Sequence, residues 1–440
     1  MDLAVNNLTF LWGPISMVKN DFTKGRGKAM LRKTTALLSA LFLITLGATG
    51  CDSQSSFNHQ LQNPKHLIQD GLLSLAETTN RLFLGGEVTG FGRLKRDGKI
   101  DFALVTPSLT RMDLLNFDLS TLISPQMDTI SIIGNDLNIP SNIALPDQRE
   151  NYSLITIRLN KPSYRSFVHN PGTHTFSALR GQFPVRQVVD DFRNDKSIFE
   201  IMNHFQFLGS GQMDVQLNTP VENQAFPVDQ FTFDQQVEIA GLPLEPGKLS
   251  FAVSLADQNG KFSPVDLKNL KPDAVQPLAV APYGNRFLLG ALVNEGAEGE
   301  LPQFDQMSLT LIPMEYKDQL DFLPLAKKPE FLSETTLQIY PLEMREGLIP
   351  QYVYVSFSEI QTHGEGSLKT EEKTLIWDNF YSGFPSQVEI PKLDFNKDPN
   401  KKYQYEVLYL AKDPRLVQRA STTALDEITH ISRNVVVVQE

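Results

Sequence analysis

Short runs of β-branched and aromatic residues recur through the second half of this 440-residue chain, with turn residues between them. They fall at Phe231–Ile239, Lys248–Leu255, Val275–Val280, Arg286–Val293 and Gln306–Ile312, then at 335–340, 351–358, 373–380, 386–390, 402–411 and 428–438. Short strands with turn signals between them, most clearly over 331–440, point to a sandwich or barrel rather than a βαβ fold. Asn259-Gly260 is a hairpin turn, because a type I′ turn needs positive φ at both central residues. In the first half, Asp97-Gly98 between Arg81–Leu94 and Ile100–Val105 predicts another hairpin. Glycines 85, 86, 90 and 92 in the first of these runs predict bulges or close packing. Tyr152–Leu159 alternates Ile155, Ile157 and Leu159 against Thr156 and Arg158, as a half-buried strand does. One helical episode interrupts between Val185 and Phe207. Ser197 with Glu200 three residues later is a capping-box pattern that opens a helix through Phe205, and Gly209-Ser210-Gly211 closes it.

The only cysteine, Cys51, follows a basic stretch (Lys28, Arg32, Lys33), an apolar run from Ala36 to Leu46, and the small residues Gly47-Ala48-Thr49-Gly50. The run is too short for ~30 Å of hydrocarbon, which takes about 20 apolar residues. Its length suits the core of a signal peptide, roughly 7–15 residues. The arrangement resembles a bacterial lipoprotein signal, with Ala48-Thr49-Gly50-Cys51 as the lipobox; Ala48 stands where that family prefers Leu. The resemblance implies cleavage between Gly50 and Cys51, a diacylglycerol on the Cys51 sulfur and an acyl chain such as palmitate on its amine. It implies no other cofactor. More than one chain gives stable anchoring, since each buried methylene contributes about 0.8 kcal/mol. The expected location is the bacterial cell envelope, on the periplasmic face or the cell surface. Asp52 resembles a retention signal for the inner membrane and leaves the choice of membrane open. Met30-Leu31-Arg32-Lys33 would be an ideal signal-peptide start, so Met30 is the expected initiator.

The chain carries a net charge of −11. Residues 1–50 hold six bases and two acids, so their removal leaves the remainder at −15. An acidic body without a basic stripe repels phosphate backbones, which argues against nucleic-acid partners. With Cys51 lipidated no disulfide can form, and packing alone must hold the body together. The expected organisation is a signal peptide over 1–50, then anchor, tether and a short helix over 51–78, the helix from the pattern Leu67, Ile68, Leu72, Leu73 and Leu75. A β-rich domain with the inserted helix follows over 79–224, and a sandwich-like domain over 225–321. Pro324, Lys327, Lys328 and Pro329 read as a linker, and a last sandwich occupies 331–440. The fold class is therefore mainly β, with tandem β-sandwich-like domains and one short helical insertion, preceded by a signal peptide and flexible tether.

In the last segment, Tyr403-Gln404-Tyr405-Glu406-Val407 is similar to the penultimate strand of immunoglobulin-like and fibronectin type III-like domains. The resemblance implies Trp377 as core anchor and Val435–Val438 as closing strand; the Cys-Trp-Cys spacing of antibody-type domains is absent. Lys248-x-x-Phe251-x-Val253 echoes Lys402-x-x-Tyr405-x-Val407, which would make the middle domain a second sandwich.

Few residues suggest chemistry. Glu200 and His204 lie four apart on one predicted helical face, after Asp190 and Asp191, and a carboxylate and an imidazole at that spacing can share a metal. The zincin pattern with two histidines is missing, and Glu200 already serves as the capping-box partner. His169 and His174 flank Asn170-Pro171-Gly172-Thr173, placing them across an exposed hairpin turn. Asp394, Asn396 and Asp398 alternate oxygen side chains as calcium loops do, but Pro399 and Tyr405 stand where an EF-hand needs Gly and Glu. Gly209-Ser210-Gly211 lacks the strand–turn–helix order of a nucleophile elbow. No metal site and no catalytic residue is assigned. The expected function is a non-enzymatic, membrane-anchored envelope lipoprotein that presents β domains to another envelope protein or glycan. The alternatives are a carbohydrate-binding or carbohydrate-cleaving module, which needs paired carboxylates across a cleft, and a structural spacer or adhesin stalk.

Overall fold

The computed structural model describes residues 82–438 apart from 91–97, 110, 112–125, 133–134, 147–150, 160–162, 168–170, 195–199, 202, 296–302, 364–369, 393–400 and 418–423. The signal peptide, Gly50, Cys51, the tether, the 67–76 helix, Asp97, His169, Ser197, Asp394, Asn396 and Asp398 lie outside the described residues. In chain order the first strands are β1 (Phe83–Thr89), β2 (Lys99–Pro107), β3 (Gln126–Ile132), β4 (Asn135–Pro146), β5 (Asn151–Leu159), β6 (Ser163–Phe167) and β7 (Gly172–Pro184). Helix α1 (Val185–Arg193) separates them from β8 (Gln206–Leu217), β9 (Phe226–Pro227), β10 (Phe231–Thr232), β11 (Gln235–Ala240), β12 (Lys248–Gln258) and β13 (Lys261–Leu270). Then come β14 (Val275–Val280), β15 (Asn285–Asn294), β16 (Gln303–Pro313), β17 (Glu330–Ser333) and β18 (Thr336–Gln338). The last are β19 (Ile349–His363), β20 (Thr370–Ser382), β21 (Gln387–Glu389), β22 (Lys401–Lys412) and β23 (His430–Val438). The protein is mainly β, built of sheets that are antiparallel apart from the β1–β9 pairing, with no closed barrel among the described residues.

Two large sheets dominate. One has seven strands in the order β10-β8-β7-β2-β5-β4-β3, the other eight in the order β13-β12-β15-β16-β23-β22-β19-β20. Strand periodicity assigns each side chain to a face. From the eight-stranded sheet, Phe251, Val253, Leu289, Leu309, Leu408 and Ile431 project inward. They pack with Phe102, Leu104, Leu179 and Phe207 of the seven-stranded sheet in the largest core. Two small sheets cover the outer face of the eight-stranded one. The β11-β14 pair packs Ile239, Leu278 and Val280 on Ala252, Leu288 and Ile312. The β17-β18-β21 sheet packs Leu337 and Val388 on Val353, Val355 and Val407. The outer face of the seven-stranded sheet is covered by β6-β1-β9, through Leu84, Val88 and Phe226. Four layers result.

Being covered on both faces explains why β15 reads as a continuous apolar run rather than an alternation. The sheet also runs without a break across the expected boundary at 322–330, because β16 pairs with β23 from Gln306↔Asn434 to Thr310↔His430. The Pro-rich segment lies along it: Ser432 Oγ donates to Pro324 O at 2.6 Å, and Ala326 is buried. The echo between residues 248–253 and 402–407 puts Phe251 and Val253 on the inner face but Tyr405 and Val407 on the outer face of one sheet. In the outer core Tyr405, Tyr409 and Phe357 are buried, while the expected anchor Trp377 packs at the margin.

Several local expectations change. The hairpin at Asn259-Gly260 forms, with φ of 56° and 80°, between β12 and β13. Gly98 has φ of 76°, yet the strands around residues 91–97 do not pair: β1 bonds β6 and β9, and β2 bonds β5 and β7. Turn chemistry specified a reversal there, and long-range pairing overrode the hairpin. The predicted close packing of the β1 glycines is seen at Gly86, where an added Cβ would fall 2.1 Å from Gln224 O. β6 and β7 are likewise not paired with each other, so His174 is not in a hairpin; it faces Val215 across β7–β8. An α-helix forms at 185–193, ahead of the predicted 197–205, within which residues 200–201 are helical and 197–199 and 202 lie outside the described residues. Residues 203–204 form a turn, with Asn203 N–H to Glu200 O at 3.2 Å and His204 N–H to Ile201 O at 3.1 Å. Phe205 and Phe207 then start a two-residue beat into the core, with their rings each 5.5 Å from Phe102, and this ends the helical stretch. Gly209-Ser210-Gly211 is not a helix stop but part of β8. The backbone of 226–231 crosses it so closely that a Cβ on Gly211 would meet Pro227 O at 1.6 Å.

A polar seam ties the two large sheets together. Leu109 and Phe262 exchange both backbone hydrogen bonds at 2.9 and 2.7 Å. Beside them, Ser108 Oγ lies 3.0 Å from Ser177 Oγ and 3.3 Å from Ser263 Oγ, and Gln212 Nε2 donates to Ser263 Oγ at 3.0 Å.

Candidate functional site

The turn between α1 and β8 collects the titratable residues singled out in the sequence. Val188 and Asp191, three apart on α1, face inward; Ile201 and Phe205 anchor the turn in the core. This brings His204 over Asp191, and His204 Nε2 lies 2.6 Å from Asp191 Oδ2. The carboxylate side chain is 8% exposed and the imidazole 22%. Asp191 thus fixes the ring orientation, as second carboxylates do behind ligand or base histidines. Glu200 does not join them. It reaches Lys271 at 3.7 Å, while Asp190 pairs with Arg186 at 3.9 Å on the exposed side of the helix. Glu200 and His204 are therefore turned to different partners, Glu200 in the helical pair 200–201 and His204 in the turn at 203–204.

The floor of this turn comes from β13. Lys268 Nζ donates to Phe205 O at 3.0 Å and sits 3.4 Å from Asp266 Oδ1. Asp266 also accepts backbone N–H groups from Leu267 at 2.7 Å and Ala279 at 2.8 Å. Burial raises the Asp266 carboxyl above the ordinary range, against the pull of Lys268 and the two N–H donors. Asn203 and Asn269 close the turn, the Asn269 N–H donating to Asn203 Oδ1 at 3.1 Å. Among the described residues no three His, Cys, Asp or Glu converge in a way that could hold a metal ion. The arrangement orients one imidazole and supplies no second ligand or nucleophile to it.

Sequence reading missed a second cluster. His430 Nε2 lies 3.0 Å from Asp321 Oδ1, and His430 Nδ1 lies 2.8 Å from Thr429 Oγ1. Hydroxyl, imidazole and carboxylate stand in the order of a hydrolase triad. Thr429 and His430 are nonetheless fully buried, and Thr429 Oγ1 also accepts the Asp413 N–H at 2.8 Å, so no substrate reaches the hydroxyl. Arg345 extends the cluster by bonding Asp321 through Nε and Asp413 through a terminal nitrogen at 2.8 Å. Arg415 grips the same Asp413 carboxylate at 2.9 and 2.6 Å. Burial pushes the Asp413 carboxyl up, but the Arg415 hydrogen bonds and the charges of Arg415 and Arg345 outweigh it and hold the group below its ordinary value. This is a clamp on the outer face where β22 ends and β23 begins. Asp321 and His430 are 109 residues apart, and no local pattern signals their meeting.

At the open edge of the eight-stranded sheet, Phe380 on β20 is 45% exposed. Its ring lies 4.7 Å from Tyr354 and 6.1 Å from Tyr352, and Tyr354 donates its hydroxyl to Asp378 Oδ2 at 3.1 Å. Burial, then the charges of Asp378 and Glu406, raise the Tyr354 phenol and keep it a donor.

No helix among the described residues is long and apolar enough to cross a membrane. No protein-family model matches this chain, and no curated protein is similar to it. Among solved structures, a biofilm-associated protein BSP domain is similar over 75% of this chain at 8% identity and a TM-score of 0.12. The match spans 64% of that domain's chain, under two thirds of its length. At that score the likeness carries no argument about fold or function.

Proposed function

We propose that the protein is a lipid-anchored, non-enzymatic binding protein of the bacterial cell envelope. The observation that carries this reading is the order of basic residues, apolar run, small residues and Cys51 over residues 28–51. Cys51 holds the membrane, residues 52–66 space the body from it, and the layered β body meets an envelope protein. Strand β20 supports the binding half of the reading: it is an edge strand with Ile376 and Phe380 exposed, and an extended segment of a partner can add to such an edge. A glycan is the second reading. It is favoured by the Tyr352–Tyr354–Phe380 ring cluster beside Asp378, which offers apolar faces next to a hydrogen-bonding carboxylate.

Metabolic labelling with an alkyne fatty acid tests the anchor. The wild-type chain takes up label and sediments with membranes, and Cys51→Ala loses both. A wild-type chain that is unlabelled and soluble would overturn the proposal. In-cell crosslinking, with Cys51→Ala as control, then separates the partners: one dominant envelope protein supports the first reading, and recovery of wall glycan alone supports the second.

A further inference from the structure

The edge of the eight-stranded sheet carries a latch. β20 pairs with β19 alone, and β4, which passes it in the other large sheet, is already paired on both sides with β3 and β5. Ile376 is an extra residue between the pairs Phe357↔Trp377 and Ser358↔Leu375, and this bulge sets Trp377–Ser382 apart from the rest of the strand. At the end of that stretch Gly383 N–H donates to Gln351 O at 2.8 Å. Antiparallel bonding alternates, so Trp377, Asn379 and Tyr381 turn their backbone groups to β19. Asp378, Phe380 and Ser382 turn theirs outward. The middle of these three outward donors is occupied: Phe380 N–H bonds Asn379 Oδ1 at 2.9 Å, and both residues are exposed. An outward row of backbone groups is a template for another strand, and here one side chain stands across its centre.

The side chains of this stretch match a second copy of themselves. Running β20 antiparallel to another β20, with Phe380 opposite Phe380, sets Asp378 opposite Ser382 on each side of a two-fold axis. Each carboxylate then faces a hydroxyl, and no like charges oppose. The two Phe380 rings meet and extend the row that each already forms with Tyr354 at 4.7 Å. Neighbouring registers fail. A shift of two residues one way opposes Asp378 to Asp378, and two the other way sets Phe380 against Phe384, beyond the end of β20. We infer that β20 is a self-pairing edge that joins two copies of this chain through Asp378, Phe380 and Ser382, and that Asn379 latches it. Both central bonds of the pairing use a Phe380 N–H, so each copy must release its Asn379 before the strands meet. One intramolecular hydrogen bond is a modest barrier, so the latch weakens the pairing without forbidding it. The inference rests on the reading of β20 as a pairing edge and not on the anchor.

Analytical ultracentrifugation of the full chain in detergent tests it, with Cys51→Ala in every sample so that no lipid contributes to association. Asn379→Ala frees the Phe380 N–H in both copies and tightens self-association by about thirtyfold over the parent chain. Phe380→Pro, which has no N–H to donate, abolishes the dimer with or without Asn379→Ala. Should Phe380→Pro disturb the strand, seen as a changed near-ultraviolet circular dichroism spectrum, Phe380→Lys decides instead, because it opposes two ammonium groups at the two-fold axis. An Asn379→Ala chain that associates no more tightly than its parent overturns the latch. A dimer that survives both Phe380 substitutions lies on another surface and overturns the self-pairing edge. Crosslinking to an envelope component is read in separate samples, so a monomeric Asn379→Ala chain leaves that reading standing, and a failed crosslink leaves this one.

Discussion

The inner face of the eight-stranded sheet is buried across β12, β15, β16, β23 and β22, but its two halves are buried on different terms. Across β12, β15 and β16 it presents Phe251, Val253, Leu255, Phe287, Leu289, Met307, Leu309 and Leu311, all in the main core. Across β23, β22 and β19 the same face carries Arg433, Glu406, Gln404, Ser356 and Ser358, all under 9% exposed. The register is continuous between the halves, since Leu309 faces Ile431, Met307 faces Arg433 and Ser356 faces Glu406. The first half is held by shape and by excluded water. The second adds charge pairing to such packing: Leu408, Leu410 and Ile431 lie in the main core beside Arg433, whose Nε bonds Glu406 Oε1. A hydrophobic half forgives modest changes of chemistry and not of volume, whereas a polar half forgives neither partner's loss.

Three substitutions sharpen the contrast. In the apolar half, Phe251→Ala removes a ring that is 2% exposed and costs about 4 kcal/mol, read as a lowered urea midpoint with unchanged slope. In the polar half, Arg433→Met removes the guanidinium bonded to the buried Glu406 carboxylate and costs about 3 kcal/mol. Joining it with Glu406→Leu restores stability to within about 1 kcal/mol of wild type, because both charges are then gone. A double variant as unstable as Arg433→Met would mean that packing, not charge, sets that half.

The smallest effect concerns the outer-face clamp. The Asp413 carboxyl is held below its ordinary value of about 4 when folded, so it adds stability at and above that pH and loses it as pH falls through the lower folded value. Melting temperature therefore drops below about pH 4, and Arg345→Gln makes the drop shallower. Identical profiles would place the acid sensitivity elsewhere.

Local signals located most of the strands and failed at their partners. Val275–Val280 and the run at 402–411 emerged as β14 and β22, and Asn259-Gly260 as the turn its φ values require. Pairing is another matter, since it depends on residues far along the chain. Asp97-Gly98 has the composition of a hairpin turn, but β1 and β2 belong to different layers. Gly209 and Gly211 looked like a helix stop because the reason for them, the crossing backbone of 226–231, lies outside any local window. For the same reason the Asp191–His204 pair was half-legible. The residue types stood out, yet helical spacing assigned His204 to Glu200, and only the turn at 203–204 gave it to Asp191. The Asp321–His430 contact was not legible at all, because 109 residues separate its members and only the tertiary fold brings them together.

The β16–β23 seam also sets a timetable. Ser308 Oγ donates to Ile431 O across 123 residues, so the strand that completes the central half emerges long after that half has been made. Until then β16 is an open edge of backbone donors and acceptors, flanked by an apolar surface awaiting cover. A chain delivered from its N-terminus must therefore be kept from pairing with its neighbours through that interval, and long-range strand pairing is slow. For this protein the hazard lies in the order of delivery and not in the finished sheet. A holding chaperone would have most to do between the appearance of residue 313 and that of residue 430.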